Sequence, residues 1–438
     1  MMLDTVLELV KQAGADAWEV TETKTEGWEF YFIRHLLDQN RIRKTTSVNV
    51  RLFRKSEDGT MIGSASEEIP GTLSREEAGE RIREILERAS YAQNPYYTLR
   101  GPAGDADGAS QPAGSEDVPG AAETAAAYLE TMRAVPESAE TDLNSYEIFV
   151  NRKQTRFLNS EGVDVAWNGT GTMLEAVVNA RNAEHEVELY RISAAGGCDR
   201  EQILRELSGA MHIGRDRLRA VPMPKLGSIP VVFSTREGTE ICRFFTGRLS
   251  AAFKARGYSD LEIGVPAFGG NMETKLTVEA LRSLPMSSGN APYDPEGAPV
   301  RDTVLMKDGV PLCFLGDRQF SSYLGLEDSF IPGNYRISGG TASEDELRAG
   351  DYLEAVEFSN FQVDELSGNI AGEIRLAYWH HGGEVTPVTG GSVSAALLAV
   401  LPSMKMSRDL VRYDNMEIPS LIRLENVSVT GIETLSEP

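Results

Sequence analysis

Residues 229–253 constrain the fold most, because they join a buried strand to an amphipathic helix without an intervening loop. Ile229 to Phe233 form the apolar run IPVVF, which has the length of a buried strand. Ser234 and Glu237 have the Ser-x-x-Glu spacing of a capping box, which predicts a helix start. Apolar residues then recur at three- and four-residue spacing, namely Ile241, Phe244, Phe245, Leu249, Ala252 and Phe253.

The opposite side of this predicted helix is polar. It carries Glu240, Arg243, Gly247 and Arg248. Polar residues opposite an apolar stripe either line a cleft or face water, and the periodicity leaves both alternatives open.

Charge and length exclude several classes of protein. The chain has 438 residues, enough for two or three domains with their own cores, and a formal net charge of −23. Such a charge repels nucleic acid and anionic membranes, so direct binding to either is not expected. No apolar run approaches the roughly 20 residues that span a bilayer, and the first 16 residues lack the basic start of a signal peptide. We therefore expect a cytoplasmic protein.

The cysteines also argue for a reducing compartment. Cys198, Cys242 and Cys313 are widely separated and form no Cys-x-x-Cys pair. This pattern does not favour a structural zinc site, and each cysteine is expected to be a small buried apolar residue.

The pattern of elements predicts two α+β domains. Residues 1–225 show a helix at 3–13, alternating segments typical of an antiparallel meander, and a capping box at Ser74 and Glu77. Residues 101–120 are rich in Gly, Pro, Ala and Asp, which predicts a mobile loop that is dispensable for folding. Three prolines in residues 221–230 indicate the boundary. Residues 226–438 are then expected to be β-rich.

Histidine-containing motifs do not make a metal site. After His185-Glu186, positions 189 and 190 are Leu and Tyr, so a His-Glu-x-x-His motif is not completed. His380 and His381 are adjacent in a predicted strand, where neighbouring side chains point to opposite faces. Phosphate-binding loops, a Rossmann glycine pattern and a nucleophile elbow are also missing from the sequence.

Several segments together resemble the TldD/PmbA family, whose members are labelled modulators of DNA gyrase and also classed as metallopeptidases. The resemblance covers essentially the whole chain. It is carried by RFLNSEGVDVAWN, by PEGAPVRDTVLMKDGVPLCFLGDR, and above all by the C-terminal segment VEFSNFQVDELSGNIAGEIRLAYWHHGGEVTPVTGGSVSAALLAVL with PSLIRLENVSVTG. The C-terminal segment is similar to the PmbA-like branch. The resemblance implies an N-terminal domain with a sheet covered by helices and a C-terminal domain with a curved antiparallel sheet.

In the TldD-type members a helix carries His-Glu-x-x-x-His, which holds zinc together with a later Cys. The matching helix here is residues 236–253, and Arg243, Phe244 and Arg248 stand where His, Glu and His would be. Neither side-chain type supplies a zinc ligand or a general base. No histidine lies between His212 and His380, so we expect no metal, no other cofactor and no catalytic residue. Cys242 with Glu237 and Glu240 remains an alternative ligand set.

Three functions remain open. The first is a PmbA-like, non-catalytic subunit of a TldD-type metallopeptidase that acts on unfolded or small peptides. The second is a metallopeptidase in its own right with atypical ligands. The third is a self-associating peptide-binding protein without a peptidase partner. The resemblance implies a homodimer, or a heterodimer with a TldD-type partner, that encloses a peptide-sized space. Peptides are expected to add as strands, and the candidate peptide-facing residues are Asp364, Gly368, Gly372, Thr389, Gly390 and Ser394.

Overall fold

The computed structural model describes residues 3–102 and 120–432. The segment predicted to be a mobile loop, 101–120, lies mostly outside the described residues. Up to residue 217 the helices and strands are α1 (Leu3–Gln12), β1 (Ala17–Ile33), β2 (Leu36–Lys55), β3 (Met61–Ile69), α2 (Arg75–Arg88), β4 (Gln93–Pro95), α3 (Ala121–Arg133), β5 (Thr141–Asn159), β6 (Asp164–Arg181), β7 (Glu186–Ala195) and α4 (Arg200–Arg217).

These strands form one seven-stranded sheet in the order β4-β3-β2-β1-β5-β6-β7. Every neighbouring pair is antiparallel, which confirms the predicted meander. The capping box at Ser74 and Glu77 is also present. Gly27 lies inside β1, where an added Cβ would come within 2.8 Å of the Asn151 side chain.

Two pairs of helices pack at opposite ends of this long sheet. Near one end α1 and α2 share a core with Val20, Val50 and Leu158. Near the other end α3 and α4 share a core with Trp28 and Val150. Val20 and Trp28 are an even number of residues apart in β1 with no register shift between them, so both helix pairs lie on the same face.

After residue 217 the chain is rich in short strands. Its helices and strands are β8 (Val221–Pro222), β9 (Gly227–Ser234), α5 (Thr235–Arg248), α6 (Ala251–Ala255), β10 (Thr277–Leu281), β11 (Thr303–Lys307), β12 (Val310–Pro311), α7 (Arg318–Tyr323), β13 (Asn334–Ser338), α8 (Glu344–Leu347), β14 (Tyr352–Val363), β15 (Asn369–His381), β16 (Glu384–Thr389), β17 (Ser392–Ala396), α9 (Leu397–Val400), β18 (Lys405–Met406), β19 (Leu410–Tyr413), β20 (Met416–Pro419) and β21 (Leu421–Thr430). The fold class is α+β, as the sequence predicts.

The strands of this part form two sheets, and most of the pairs in both are antiparallel. The eight-stranded sheet runs β14-β9-β21-β17-β15-β16-β8, with β18 beside β21, and β14 also pairs with β15. These pairings close a ring through β14, β9, β21, β17 and β15. The β14–β9 and β16–β8 pairs are parallel, and so is β13–β20 in the six-stranded sheet.

The proline-rich stretch at 221–230 contributes to this sheet as well as leading into it. Pro230 lies inside β9, where proline removes one ladder hydrogen bond. Opposite it, the register of β21 shifts between Leu424 and Val427, so the strand is irregular at that point. Proline inside a sheet is tolerated at such bulges. Within the described residues, no helix is long and apolar enough to cross a membrane.

Candidate functional site

Helix α5 starts directly from the centre of the eight-stranded sheet. Its preceding strand, β9, lies between β14 and β21, and Val231, Val232 and Phe233 are fully buried. Ser234 is the N-cap residue, as predicted, but its side chain accepts no capping hydrogen bond. Its hydroxyl instead donates to Glu237 Oε2 at 2.8 Å. The cap position is therefore predicted correctly, whereas the contact between Ser234 and Glu237 joins two side chains and is not a capping hydrogen bond.

The predicted helix 236–253 is in fact two helices. α5 ends at Arg248, and Ser250 caps α6 by accepting a hydrogen bond from Phe253 N at 3.2 Å. Ser250 also bridges to Leu315, and Ala251 N donates to the Leu315 carbonyl at 2.8 Å. This pairing with a distant segment breaks the helix where the apolar periodicity alone continues.

The apolar face of α5 points into the core. Ile241, Cys242, Phe244 and Phe245 are at most 1% exposed, and both phenylalanine rings contact Phe268. Burial raises the pKa of the Cys242 thiol, which keeps it protonated. Cys242 is therefore a small buried apolar residue, as the sequence predicts.

The two arginines at the positions of the metal motif have different environments. Arg243 is largely exposed and pairs with Glu240 at 2.7 Å. Arg248 is buried, contrary to the expectation that it shares the polar side, and its guanidinium lies 4.9 Å from the Phe244 ring centroid. Its Nη1 donates to the Tyr258 carbonyl at 2.6 Å, and its Nη2 donates to the Leu366 carbonyl. Arg248 thus ties α5 to two loops.

The polar side of α5 lines a cavity of about 430 Å³, which we call the α5 cavity. The helix contributes Arg236, Glu237, Glu240 and Arg243. The other walls come from distant parts of the chain, and they are residues 192–194 of β7, Gln202 of α4, residues 358–361 of β14, and Tyr413 and Asp414. The sequence leaves open whether the polar side of α5 lines a cleft or faces water, and in the structure it lines a cleft.

Acidic groups in the α5 cavity are partly desolvated. Glu237 is 3% exposed, and burial raises its pKa to about 7, although the Ser234 hydroxyl opposes this shift. Burial also raises the pKa of the Asp414 carboxyl, against the lowering influence of Arg243 and Arg412. The cavity can therefore hold a proton near neutral pH, and it presents both hydrogen-bond donors and acceptors.

Ion pairs hold the walls of the α5 cavity together. Arg191 of β7 donates two hydrogen bonds to Glu357 of β14, at 2.6 and 3.2 Å. Arg412 donates to Asp199, at the start of α4, at 2.8 Å. Both pairs link residues before 200 to residues after 350, so they fix the position of β7 and α4 against β14 and β19.

The donor set at α5 does not fit a zinc ion. Arg243 and Arg248 have no lone pair to offer, and Phe244 has no donor atom. Of the alternative set, Glu237 and Glu240 line the cavity, whereas Cys242 is buried on the apolar face. Among residues 3–102 and 120–432, no three His, Cys, Asp or Glu side chains are grouped as metal ligands would be. The remaining histidines do not change this, because His380 contacts Glu354 and His381 contacts Asp351.

The predicted peptide-facing residues of the β14–β15 hairpin have structural roles. The Asp364 carboxylate accepts hydrogen bonds from the Ser367 amide at 2.6 Å and the Ser367 hydroxyl at 2.7 Å. Gly368 has φ +72°, and its Cα lies against Phe244. Gly372 lies under Phe358 and Phe361, whose rings would be 2.7–2.8 Å from an added Cβ. The two glycines are buried, and neither lines the α5 cavity.

The other three predicted residues lie further along the same sheet. The Thr389 hydroxyl donates to the Arg375 carbonyl at 2.9 Å. Gly390 has φ +80°, and an added Cβ would be 2.1 Å from Ile432. Ser394 is exposed on β17. The structure does not bring the six residues together in one cavity, so their contact with a peptide stays a prediction.

Strand addition at these segments is not available in this fold. Residues 370–373 of β15 pair with β14 on one side and with β17 on the other. Residues 392–394 of β17 likewise pair with both β15 and β21. A peptide has no free edge there, because the ring of strands is closed.

The cavity walls supplied by β7, β14 and the β19–β20 turn were missed by the sequence analysis. They lie more than 40 residues before or 100 residues after α5 in the chain. The only local signal is the run EFSNFQ, which interrupts the alternation of β14 where the register shifts three times. Such irregularities re-aim side chains, but a single sequence does not show their direction.

Comparison with known proteins agrees with this architecture. Residues 226–431 match the family model of the PmbA/TldA metallopeptidase C-terminal domain. No curated protein matches the sequence.

Solved structures extend the likeness to the whole chain. TldE from Thermococcus kodakarensis has 16% identity and a TM-score of 0.75, over 98% of this chain and 100% of that chain. Two proteins labelled modulators of DNA gyrase are similar with TM-scores of 0.74. The one from Thermotoga maritima is 17% identical, over 98% of this chain and 99% of its own, and the one from Bacteroides thetaiotaomicron is 16% identical, over 98% of each chain. At these identities the structures establish the fold. Residues 226–431 therefore match the PmbA/TldA metallopeptidase C-terminal domain, and the chain as a whole shares the fold of TldE and of the two proteins labelled modulators of DNA gyrase.

Proposed function

We propose that the chain is a PmbA-like, non-catalytic subunit that supports a TldD-type metallopeptidase acting on unfolded or small peptides. The observation that carries this proposal is the environment of Arg248. At a position where the TldD-type motif has a histidine, a buried guanidinium donates to the Tyr258 and Leu366 carbonyls. The fold around α5 is therefore built on an arginine, and a metal ligand at this position would leave both carbonyls without these donors.

The proposed role of the α5 cavity is to hold part of a peptide. It offers guanidinium donors from Arg236 and Arg243 and carboxylate acceptors from Glu240 and Asp414. These groups can bind main-chain amides or a charged side chain, but they include no activated nucleophile.

Edge strand β7 supports peptide binding beside this cavity. Within the described residues β7 has a strand partner on one side only, which is β6. Its residues 192–194 line the α5 cavity, and Tyr190 and Ile192 are 51% and 47% exposed. A free edge with exposed apolar side chains is the kind of surface to which an extended peptide adds as a strand.

The partner proposal concerns assembly. A subunit without metal ligands influences cleavage only by contacting the substrate or the active partner. We therefore expect a heterodimer with a TldD-type protein that carries an intact His-Glu-x-x-x-His motif. The homodimeric peptide-binding protein is the second candidate, and it is favoured only by the free edge of β7.

The test combines metal content with co-expression. The purified chain is expected to hold less than stoichiometric zinc by elemental analysis and to leave an unfolded peptide uncut. Co-expressed with the intact TldD-type protein of the same genome, it is expected to co-purify and to change the partner's cleavage rate.

Two results would contradict the proposal. One is a tightly held zinc per chain that is lost together with peptidase activity in Glu240→Gln or Cys242→Ser. The other is a chain that never co-purifies with the TldD-type protein and leaves its cleavage rate unchanged. A homodimer by light scattering that binds peptides without any effect on the peptidase would select the second candidate.

A further inference from the structure

A second and larger cavity lies on the seven-stranded sheet, between the two pairs of helices. It has a volume of about 1170 Å³, and we call it the mid-sheet cavity. Its floor is formed by the central residues of four neighbouring strands, and these are 24–26 of β1, 44–46 of β2, 152–154 of β5 and 168–170 of β6. Helix α3, residues 196–198 and residues 282–292 form its walls. The cavity exists because neither helix pair reaches the middle of the sheet.

The lining of the mid-sheet cavity is basic, although the whole chain carries a net charge of −23. Two of its side chains are acidic, Glu26 and Glu123, and five are basic, Lys24, Lys44, Arg152, Lys153 and Arg282. Two of these five are paired, since Lys24 contacts Glu22 at 2.9 Å and Lys44 contacts Glu26 at 3.2 Å. Among the described residues Arg152 and Lys153 form no ion pair. A concave surface of one charge concentrates ligands of the opposite charge.

A free strand edge forms one side of this cavity. β6 pairs with β5 along residues 164–180, but its pairing with β7 begins only at Thr172. Within residues 3–102 and 120–432, the main chain of residues 168–170 therefore has no strand partner on the side away from β5. Gly169 lies in this edge with nothing within 4 Å of the position of an added Cβ, so another backbone can approach closely.

Together the basic lining and the free edge of β6 favour an extended acidic peptide over other anions as the ligand of this cavity. A small anion needs convergent donors but no strand edge, and a cavity of this size exceeds the usual upper bound of about 1,000 Å³ for small-molecule sites. Nucleic acid is repelled by the remaining surface, because its many phosphates face a strongly acidic protein. We propose that the mid-sheet cavity binds an extended acidic peptide segment, whose main chain adds to β6 at residues 168–170 and whose carboxylates meet Arg152.

The spacing of the strands suits this arrangement. Adjacent strands lie about 4.8 Å apart, so a peptide on β6 lies two strands from β5. Arg152 is paired in register with Thr170, so its long side chain starts directly across β6 from the added strand. Lys153, the next residue of β5, points to the opposite face of the sheet. This inference goes beyond the proposed function, and it holds whether or not the chain assists a peptidase.

The test measures binding to the full chain alone by fluorescence anisotropy. The probe is a labelled peptide of alternating glutamate and threonine, and the reference is the same peptide with glutamine for glutamate. The glutamate peptide is expected to bind at least about tenfold more tightly, with an affinity that falls as salt is raised. Inorganic phosphate and a single-stranded oligonucleotide serve as competitors and are expected to displace it poorly.

Two variants test the two parts of the site. Arg152→Glu removes the unpaired cation of this face, and Gly169→Pro blunts the free edge of β6, because proline has no main-chain donor. Each is expected to weaken binding of the glutamate peptide by at least about tenfold. Arg54→Glu is the matched control, because Arg54 is an exposed arginine of β2 outside the cavity, and it is expected to leave binding unchanged. Thermal unfolding checks that all three variants fold.

Several outcomes overturn the inference. Equal binding of the glutamate and glutamine peptides rejects the role of charge. Loss of binding in Arg152→Glu but not in Gly169→Pro rejects addition to β6. The oligonucleotide and phosphate are compared with the glutamate peptide at equal concentrations of negative charge. If either displaces the probe as well as the glutamate peptide does, the cavity is a general anion groove instead. Because the assay contains no peptidase, its failure leaves the proposed function to be judged by its own experiment.

Discussion

The arginine at position 248 fixes the packing of α5 against two loops and prevents this position from binding a metal ion. Both carbonyls that it contacts belong to loops, at Tyr258 and Leu366, and its side chain is only 8% exposed. A guanidinium satisfies two such acceptors at once because its donors are arranged as a planar fork. The same features make it unable to hold a metal ion.

We expect Arg248→Met to lower the free energy of unfolding by about 1–3 kcal/mol, because it removes the hydrogen bonds that the buried guanidinium donates to two part-buried carbonyls. Arg243→Met is the control on the same helix. It removes an exposed pair with Glu240, and we expect a change below about 0.5 kcal/mol. Denaturant unfolding measures both. Equal effects of the two substitutions would mean that the buried contacts of Arg248 contribute little.

The raised pKa of the Glu237 carboxyl predicts that the stability of the protein depends on pH. Its pKa in the folded chain is about 7, raised by burial above the ordinary value of 4.5. Between these two values the folded state holds a proton that the unfolded state has lost, so stability falls as pH rises through this range. The stabilising contribution is complete below about pH 4.5 and is lost above about pH 7.

We therefore expect Glu237→Gln to stabilise the protein at pH 8 by on the order of 3 kcal/mol relative to the unsubstituted chain. The amide cannot ionise, so the difference should shrink as the pH approaches 4.5. Unfolding free energies of both proteins at pH 5 and pH 8 measure this. Glu240→Gln is the exposed control, and a similar pH-dependent gain there would point to a general charge effect.

At the scale of elements, the β14–β15 pair shapes the α5 cavity. The register of β14 shifts between Ala355 and Asn360, and this irregular part carries Glu357 towards Arg191 and places Phe358 and Phe361 in the cavity wall. The rings cross over Gly372 of β15, which has no side chain to obstruct them. Gly372 thus serves packing beside the cavity, although the sequence suggested that it faces a peptide.

Gly372→Ala is expected to destabilise the protein by about 1–3 kcal/mol, because its Cβ would lie 2.7 Å from the Phe358 ring. Gly209→Ala in α4 is the control. Nothing lies within 4 Å of its Cβ position, so the loss of a helix glycine should be neutral or stabilising by about 0.5–1 kcal/mol. Thermal and denaturant unfolding compare the two. An unchanged stability in Gly372→Ala would show that the two rings move aside freely.

At the scale of the whole molecule, the two cavities lie where distant parts of the chain meet. The α5 cavity lies between β7, α4 and the strands after residue 350. The mid-sheet cavity lies between the N-terminal sheet and residues 282–292. Besides the ion pairs, the Tyr378 hydroxyl donates to Asp216 at 2.6 Å and the Tyr323 hydroxyl donates to the Pro95 carbonyl at 2.7 Å. Both proposals therefore depend on how the earlier and later parts of the chain pack.

The sequence by itself determined the local elements and the missing chemistry. The strand at 229–233, the start of α5 and the capping box at Ser74 depend on residues within a few positions of one another. The lack of histidine between His212 and His380 is likewise a property of the sequence.

Only the tertiary structure decided what these elements face. The pairing of Ser250 with Leu315 ends the predicted helix early, and packing buries Arg248. Strand pairing closes a ring in the eight-stranded sheet, and the packing of distant segments places β7 beside α5. The physical reason is that turns and caps depend on interactions within a few residues, whereas strand pairing and burial depend on contacts across the whole chain. The same local pattern fits several neighbours, and the packing of the complete molecule selects one.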